Sequence, residues 1–120
     1  MATYTKVHLS GSTGGQPVKV VETATAGTSI HTTGISATDI DEIWLYANNT
    51  SESDVKLTVE YGGTASPDNQ IEISITAEAG LVLVIPGLIL SGDGSASRVV
   101  RAFAETANVI NITGYVNRIA

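Results

Sequence analysis

The sequence predicts an all-β domain, a sandwich or barrel of about eight to ten short strands with almost no helix. Two observations carry this. Short β-branched and apolar runs recur along the whole chain, divided by glycine, proline, asparagine and serine clusters at about the eight-to-twelve-residue interval of such folds. The stretch Asp41–Gly62, DEIWLYANNTSESDVKLTVEYG, sets two of these runs either side of concentrated turn chemistry. Composition agrees: 120 residues, 42% hydrophobic and only 15% charged, suit one folded domain with its own core rather than a disordered chain.

Taken in order, Thr3–Ser10 alternates weakly, with Val7 and Leu9 against Lys6, His8 and Ser10. Residues 1–10 therefore read as an edge strand or an extended amino-terminal arm that orders on a neighbour. Gly11–Pro17 is a loop, Val18–Ala24 a β-branched strand, and Ser29–Thr33 a shorter strand closed by Gly34. Ser36–Asp39 has the spacing of a helix start, but the run after it has strand chemistry, which limits any helix to one turn.

Ile43–Ala47 and Val55–Tyr61, with Asn48–Ser53 between them, read as a hairpin around which the rest of the chain is organised. If Ile43, Leu45 and Ala47 face the core, Trp44 and Tyr46 face the other side of the sheet; in the opposite register Trp44 is the core anchor. After the polar loop Gly62–Asn69, Ile71, Ile73 and Ile75 alternate with Glu72 and Ser74, giving one dry and one wet face.

Leu81–Ile85 is apolar at every position and predicts a strand covered on both sides. The outer face of a self-contained sandwich is normally polar, so the cover is expected to come from elsewhere. Pro86-Gly87 predicts a bend before Leu88–Leu90. Beyond the loop Ser91–Ser95, Arg98–Glu105 and Val109–Ile119 read as a last pair joined at Thr106–Asn108, with Ile110, Ile112 and Val116 on one side.

Twelve acids against six scattered bases give a net charge of −6. Phosphate recognition needs clustered cations, so neither nucleic acid nor an anionic membrane is expected as a partner. There is no cysteine, hence no disulfide, thiolate metal site or cysteine nucleophile. The start of the chain lacks a signal-peptide pattern, and the longest apolar run, Leu81–Leu90, is too short to span a bilayer, so a soluble chain is expected.

The side chains that carry chemistry are thinly spread. His8 and His31 have no metal-ligand spacing to each other. Asp39, Asp41 and Asp93 lack the regular oxygen ligands of a calcium loop and read as turn residues. Gly11-Ser12-Thr13-Gly14-Gly15 lacks the lysine and the helix of a phosphate cradle, and no Gly-x-Ser-x-Gly elbow occurs. No catalytic, cofactor-binding or metal residue is assigned, and no cofactor is expected. The aromatic pair Trp44 and Tyr46 reads as a subunit contact or a sugar platform.

A resemblance extends this reading. Ser10-Gly11-Ser12 followed by Val18-Lys19-Val20, then Gly27–Thr32, Asp41–Ala47, Thr58–Thr64 and Ser66-Pro67-Asp68, make up its first half. Gly80–Leu88, Arg101–Ala104, Asn108–Ile110 and Gly114–Ile119 complete it. From about Leu9 to Ile119 the chain resembles small structural proteins of tailed bacteriophages.

What the resemblance implies is an antiparallel β-sandwich of jelly-roll type and a non-enzymatic virion protein, most like a capsid decoration, or cement, protein. Such a protein is made in the host cytoplasm and sits on the capsid surface. Its expected partners are the major capsid protein or other virion proteins, and it is expected to be a homo-oligomer, a dimer or trimer. Several simultaneous contacts would give avidity without any one being strong. The candidate contacts are Val7, Leu9, Trp44, Tyr46, Val82, Val84 and Tyr115. A head–tail or tail/fibre component fits equally, and a carbohydrate- or receptor-binding module using Trp44, Tyr46 and the loops at Thr50 and Pro67 is the alternative from another class.

Overall fold

The computed structural model describes residues 2–120; Met1, the first residue of the expected arm, lies outside them. Burial alternates most regularly in β4, Ile40–Asn49, whose residues are half-buried and buried by turns. This is the signature of a strand with one face on a core. The other strands are β1 (Tyr4–His8), β2 (Val18–Lys19), β3 (Thr28–Thr32), β5 (Val55–Tyr61), β6 (Gln70–Ile75), β7 (Val82–Leu90), β8 (Val99–Ala104) and β9 (Ile110–Ile119). No helix forms among the described residues.

The strands make two antiparallel sheets. One runs β1-β9-β4-β7, with β2 also on β9, and the other runs β3-β8-β5-β6. β5 pairs with β6, β4 with β7, β3 with β8, and β1 and β2 with β9. That nesting is one long hairpin rolled up so that successive strand pairs fall in alternate sheets, the jelly-roll arrangement. The expected β-sandwich is therefore what the chain forms.

The sheets meet through Ile43, Leu45, Ala47, Ile85, Ile112 and Val116 on one side and Ile30, Leu57, Val59, Ile75, Val100, Ala102 and Ala104 on the other, each essentially without exposure. Each buried valine, leucine or isoleucine among them contributes about 1.5–3 kcal/mol relative to an exposed position. Gly114 lets β9 lie close to β4, because a Cβ there would stand 2.0 Å from the Trp44 carbonyl oxygen.

Several expectations need correction. Asp41–Gly62 is not a hairpin: β4 and β5 lie in different sheets, and Thr50–Asp54 carries the chain across. Turn chemistry reverses a chain without saying which sheet it re-enters. Here the corner is tied by Asn49, whose Nδ2 donates to the carbonyls of Ser53 (2.8 Å) and Ile75 (2.9 Å). β8 and β9 are likewise in opposite sheets and do not pair.

Of Val18–Ala24 only Val18 and Lys19 are paired as a strand. Val20 enters the core, and the residues after it cross to the second sheet. β7 is an edge strand that the chain itself does not cover on both sides, with Leu83 44% exposed and Leu81, just before it, 65% exposed; the cover expected from elsewhere would fall here. Pro86-Gly87 does not end it. The ladder to β4 runs on to Leu90 with register shifts on either side of the Trp44–Pro86 and Leu45–Ile85 pairs. Gly87 there has φ +80° and lies under the Trp44 indole. Ser36 Oγ accepts from the amides of Thr38 and Asp39, but no helical turn follows.

Candidate interaction face and a buried polar clamp

The register of the first sheet lays out its outer face in rows. Tyr4, Ile119 and Ile40 form one; Lys6, Asn117, Glu42 and Ile89 the next; His8, Tyr115, Trp44 and Pro86 the third; Thr113, Tyr46 and Leu83 the fourth. Because Ile43, Leu45 and Ala47 take the inner positions of β4, Trp44 and Tyr46 are directed outward, and Trp44 is half-buried. The register in which Trp44 anchors the core is excluded.

Trp44 stacks on Tyr115 with ring centroids 6.1 Å apart and planes 12° from parallel. Such a pair contributes about 0.5–1.5 kcal/mol beyond its burial. Lys6 Nζ stands 4.8 Å from the Tyr115 ring centroid, so a cation covers part of the platform. Trp44 Nε1 and Asn117 Nδ2 both donate to Glu42 Oε1, at 2.8 and 2.9 Å, and together hold the Glu42 carboxyl below its usual range.

Of the expected contact residues, Trp44, Tyr46 and Tyr115 share this face. Leu9 is a core residue at 2% exposure, and Val7, Val82 and Val84 are half-buried against the core. Sequence reasoning expected a cover over Leu81–Ile85 but named Val82 and Val84 as its contacts rather than Leu81 and Leu83, exposed by 65% and 44%, and it missed Leu88 and Ile89, exposed by 43% and 58%. An all-apolar run carries no alternation from which to choose a face, and the two register shifts in β7 break the parity that Ile85 would otherwise set.

The chain straps part of the second sheet's outer face, leaving Lys56 and Glu72 exposed beside it. Glu60 points outward from β5 yet is fully buried, because the segment Val21–Gly27 lies over it. Thr25 Oγ1 donates to Glu60 Oε2, and the Gly27 amide donates to Oε1 at 2.6 Å. The Ala104 amide donates to the Glu22 carbonyl at 3.1 Å and fastens the same segment to β8. The two outer faces thus differ: one is strapped by the chain itself, the other is open.

At one end of the sandwich a polar cluster joins both sheets. Asp41 on β4, 3% exposed, accepts from Arg118 on β9 through Nε (2.8 Å) and Nη2 (3.0 Å), and from His31 Nε2 on β3 (2.8 Å). The Ser10 amide donates to His31 Nδ1 at 3.0 Å, so the ring hydrogen sits on Nε2 and faces Asp41. Burial opposes the Asp41 charge, but the hydrogen bonds from Arg118 and His31 outweigh it, and the carboxyl is held below its usual range. Arg118 is raised in turn by its bond to Asp41. Burial, with the Asp41 charge behind it, pushes the Tyr61 hydroxyl up to about 12, and that oxygen has no hydrogen-bond partner.

Both His31 nitrogens are engaged, and Ser10 Oγ accepts from the Thr32 amide at 2.6 Å rather than meeting the ring. The cluster is therefore built to tie strands. Asp41, read from sequence as a turn residue, is instead its centre. Asp93 is the turn residue expected: Oδ1 accepts from the amides of Ser95 (2.8 Å) and Ala96 (2.7 Å), which lower its pKa. Among the described residues no three His, Cys, Asp or Glu side chains gather to hold a metal ion.

No family model, curated protein or solved structure matches the chain.

Proposed function

We propose that the chain is a non-enzymatic structural protein of a virion, of the capsid-decoration kind, which holds to a shell through the open outer face of its five-stranded sheet. The observation that carries this reading is the contrast between the two faces. The second sheet is strapped by Val21–Gly27, whereas the first presents Trp44, Tyr46 and Tyr115 beside the exposed Leu83 and Ile89. Contiguous apolar surface on a small domain marks an interaction site. Aromatic residues at its centre with a polar rim are the composition of protein interfaces.

The mechanism is one of linkage. A domain that binds the assembled shell and not its separated subunits stabilises the assembly by mass action, and contacts to several neighbouring subunits multiply that effect. The partner is the major capsid protein or another virion protein. A head–tail or tail/fibre component would use the same face, and labelling the chain within intact particles separates these sites. Particles with and without the chain are to be compared for survival of heat or low salt. Survival should be greater with it, and Trp44→Glu should remove the difference; unchanged survival would overturn the reading.

A carbohydrate- or receptor-binding module is favoured by one observation, the Trp44–Tyr115 stack flanked by Glu42 and Asn117. Those polar groups already bond each other and the indole, which leaves little capacity for sugar hydroxyls. Glycan binding abolished by Trp44→Ala would support this reading over the first.

A further inference from the structure

We propose that the β7 edge is the surface on which two copies of this chain meet, about a two-fold axis near Pro86–Gly87. This rests on the reading above that the chain acts by binding through its surface, and it names the first partner as a second copy. Three observations converge on it.

The first is charge. From Ala79 to Gly92 there is no charged residue, in a chain of net charge −6. Two copies repel over most of their surfaces, and this strip is where they can approach without setting acid against acid.

The second is the way the edge is protected. Among the described residues β7 ends its sheet and has β4 as its sole strand neighbour. Exposed edges are ordinarily defended by charged side chains, proline or bulges. Here Pro86 and two register shifts interrupt the ladder, which opposes the addition of an arbitrary extended segment, but no charge guards the side chains. What remains to be covered is apolar side-chain surface, and that calls for a folded partner with a matching apolar surface.

The third is self-complementarity. A two-fold contact requires one patch that fits itself. Leu81 and Leu83 lie before Pro86–Gly87, with Leu83 outward beside Tyr46; Ile89 lies after it, outward beside Glu42, while Leu88, opposite Ile43, is on the inner side of the edge. An antiparallel two-fold sets Leu81 and Leu83 of one copy against Ile89 of the other. It also brings Leu81, the most exposed leucine, to the Leu90–Gly92 end of the other copy. There a depression of about 280 Å³ is lined by Ile40, Ile89, Leu90, Ser91 and Arg98. Each end of the strip thus offers one projection and one recess.

The test is sedimentation of the purified full chain from about 1 to 100 μM, with circular dichroism to confirm folding. The wild type should be a dimer at the upper end. Leu83→Glu combined with Ile89→Glu should weaken association by at least about 100-fold, while Val21→Glu, at an exposed apolar position off the strip, leaves it intact. In this cysteine-free chain Pro86→Cys, next to the axis, should oxidise to a covalent dimer, and Leu81→Cys, far from it, should not.

A monomer at every concentration, a trimer, or loss of the dimer with Val21→Glu alone would overturn the inference. The shell-survival assay is independent of this result. A monomer that still protects particles sinks the two-fold contact and spares the decoration reading, and a dimer that protects nothing does the reverse.

Discussion

Arg118 and Asp41 show how much can depend on one pair. Asp41 is 3% exposed and keeps its charge because Arg118 supplies two donors and His31 a third. Arg118→Met would leave that charge with a single donor; because the Arg118 side chain is 40% exposed and water screens its side of the pair, the loss should be about 1–2 kcal/mol, read as a lower urea midpoint. The same pair sets the response to acid. A carboxyl whose folded-state pKa is depressed stabilises the fold above the ordinary aspartate range, near pH 4, and that contribution is lost as pH falls through the lower folded value. The wild type should therefore hold its fold to lower pH than Arg118→Met in an acid titration followed by circular dichroism. None of this was legible in the sequence: positions 31, 41 and 118 are far apart, and an aspartate near a serine-rich loop has the look of a turn. Only the rolled-up topology brings them together.

At the scale of the strand, the sequence was a good guide wherever polar and apolar side chains alternate. β6 buries Ile75 fully and keeps Ile71 and Ile73 half-buried while Glu72 and Ser74 stay wet; in β4, where both faces carry large apolar side chains, the pattern allowed two registers and the fold takes the one with Ile43, Leu45 and Ala47 inward. The pattern failed in β7, where every side chain is apolar, and at Asn48–Ser53, where turn residues mark a passage between sheets. Close packing between strands leads to a further prediction. At Gly114 a methyl group would collide with the Trp44 carbonyl, so Gly114→Ala should push β9 from β4 and cost about 1–3 kcal/mol. Thr113→Ala, one position away on the outward face, should cost much less in the same thermal melts. Equal losses would mean that the two strands are not so tightly apposed.

For the whole molecule, the asymmetry of its two outer faces predicts a separation of effects. Glu60→Gln disturbs the strap over the second sheet and should lower the melting temperature of the free domain while leaving particle survival largely unaffected at temperatures where the domain stays folded. Trp44→Glu should act the other way round, lowering particle survival more than it lowers the melting temperature. If both variants moved both measurements in proportion, the first sheet would have no special claim as the docking surface.

The nested pairing also dictates an order of assembly. Among the described residues β5 and β6 are the only partners that follow one another along the chain; β4 and β7, β3 and β8, and β1 and β9 close successively wider loops around them. Loop-closure entropy then makes the innermost pair the natural nucleus and the outermost the last to zip, with refolding in about the millisecond-to-second range of high-contact-order β proteins. Stopped-flow measurements should find Ile73→Val slowing refolding, and Val7→Ala mainly hastening unfolding.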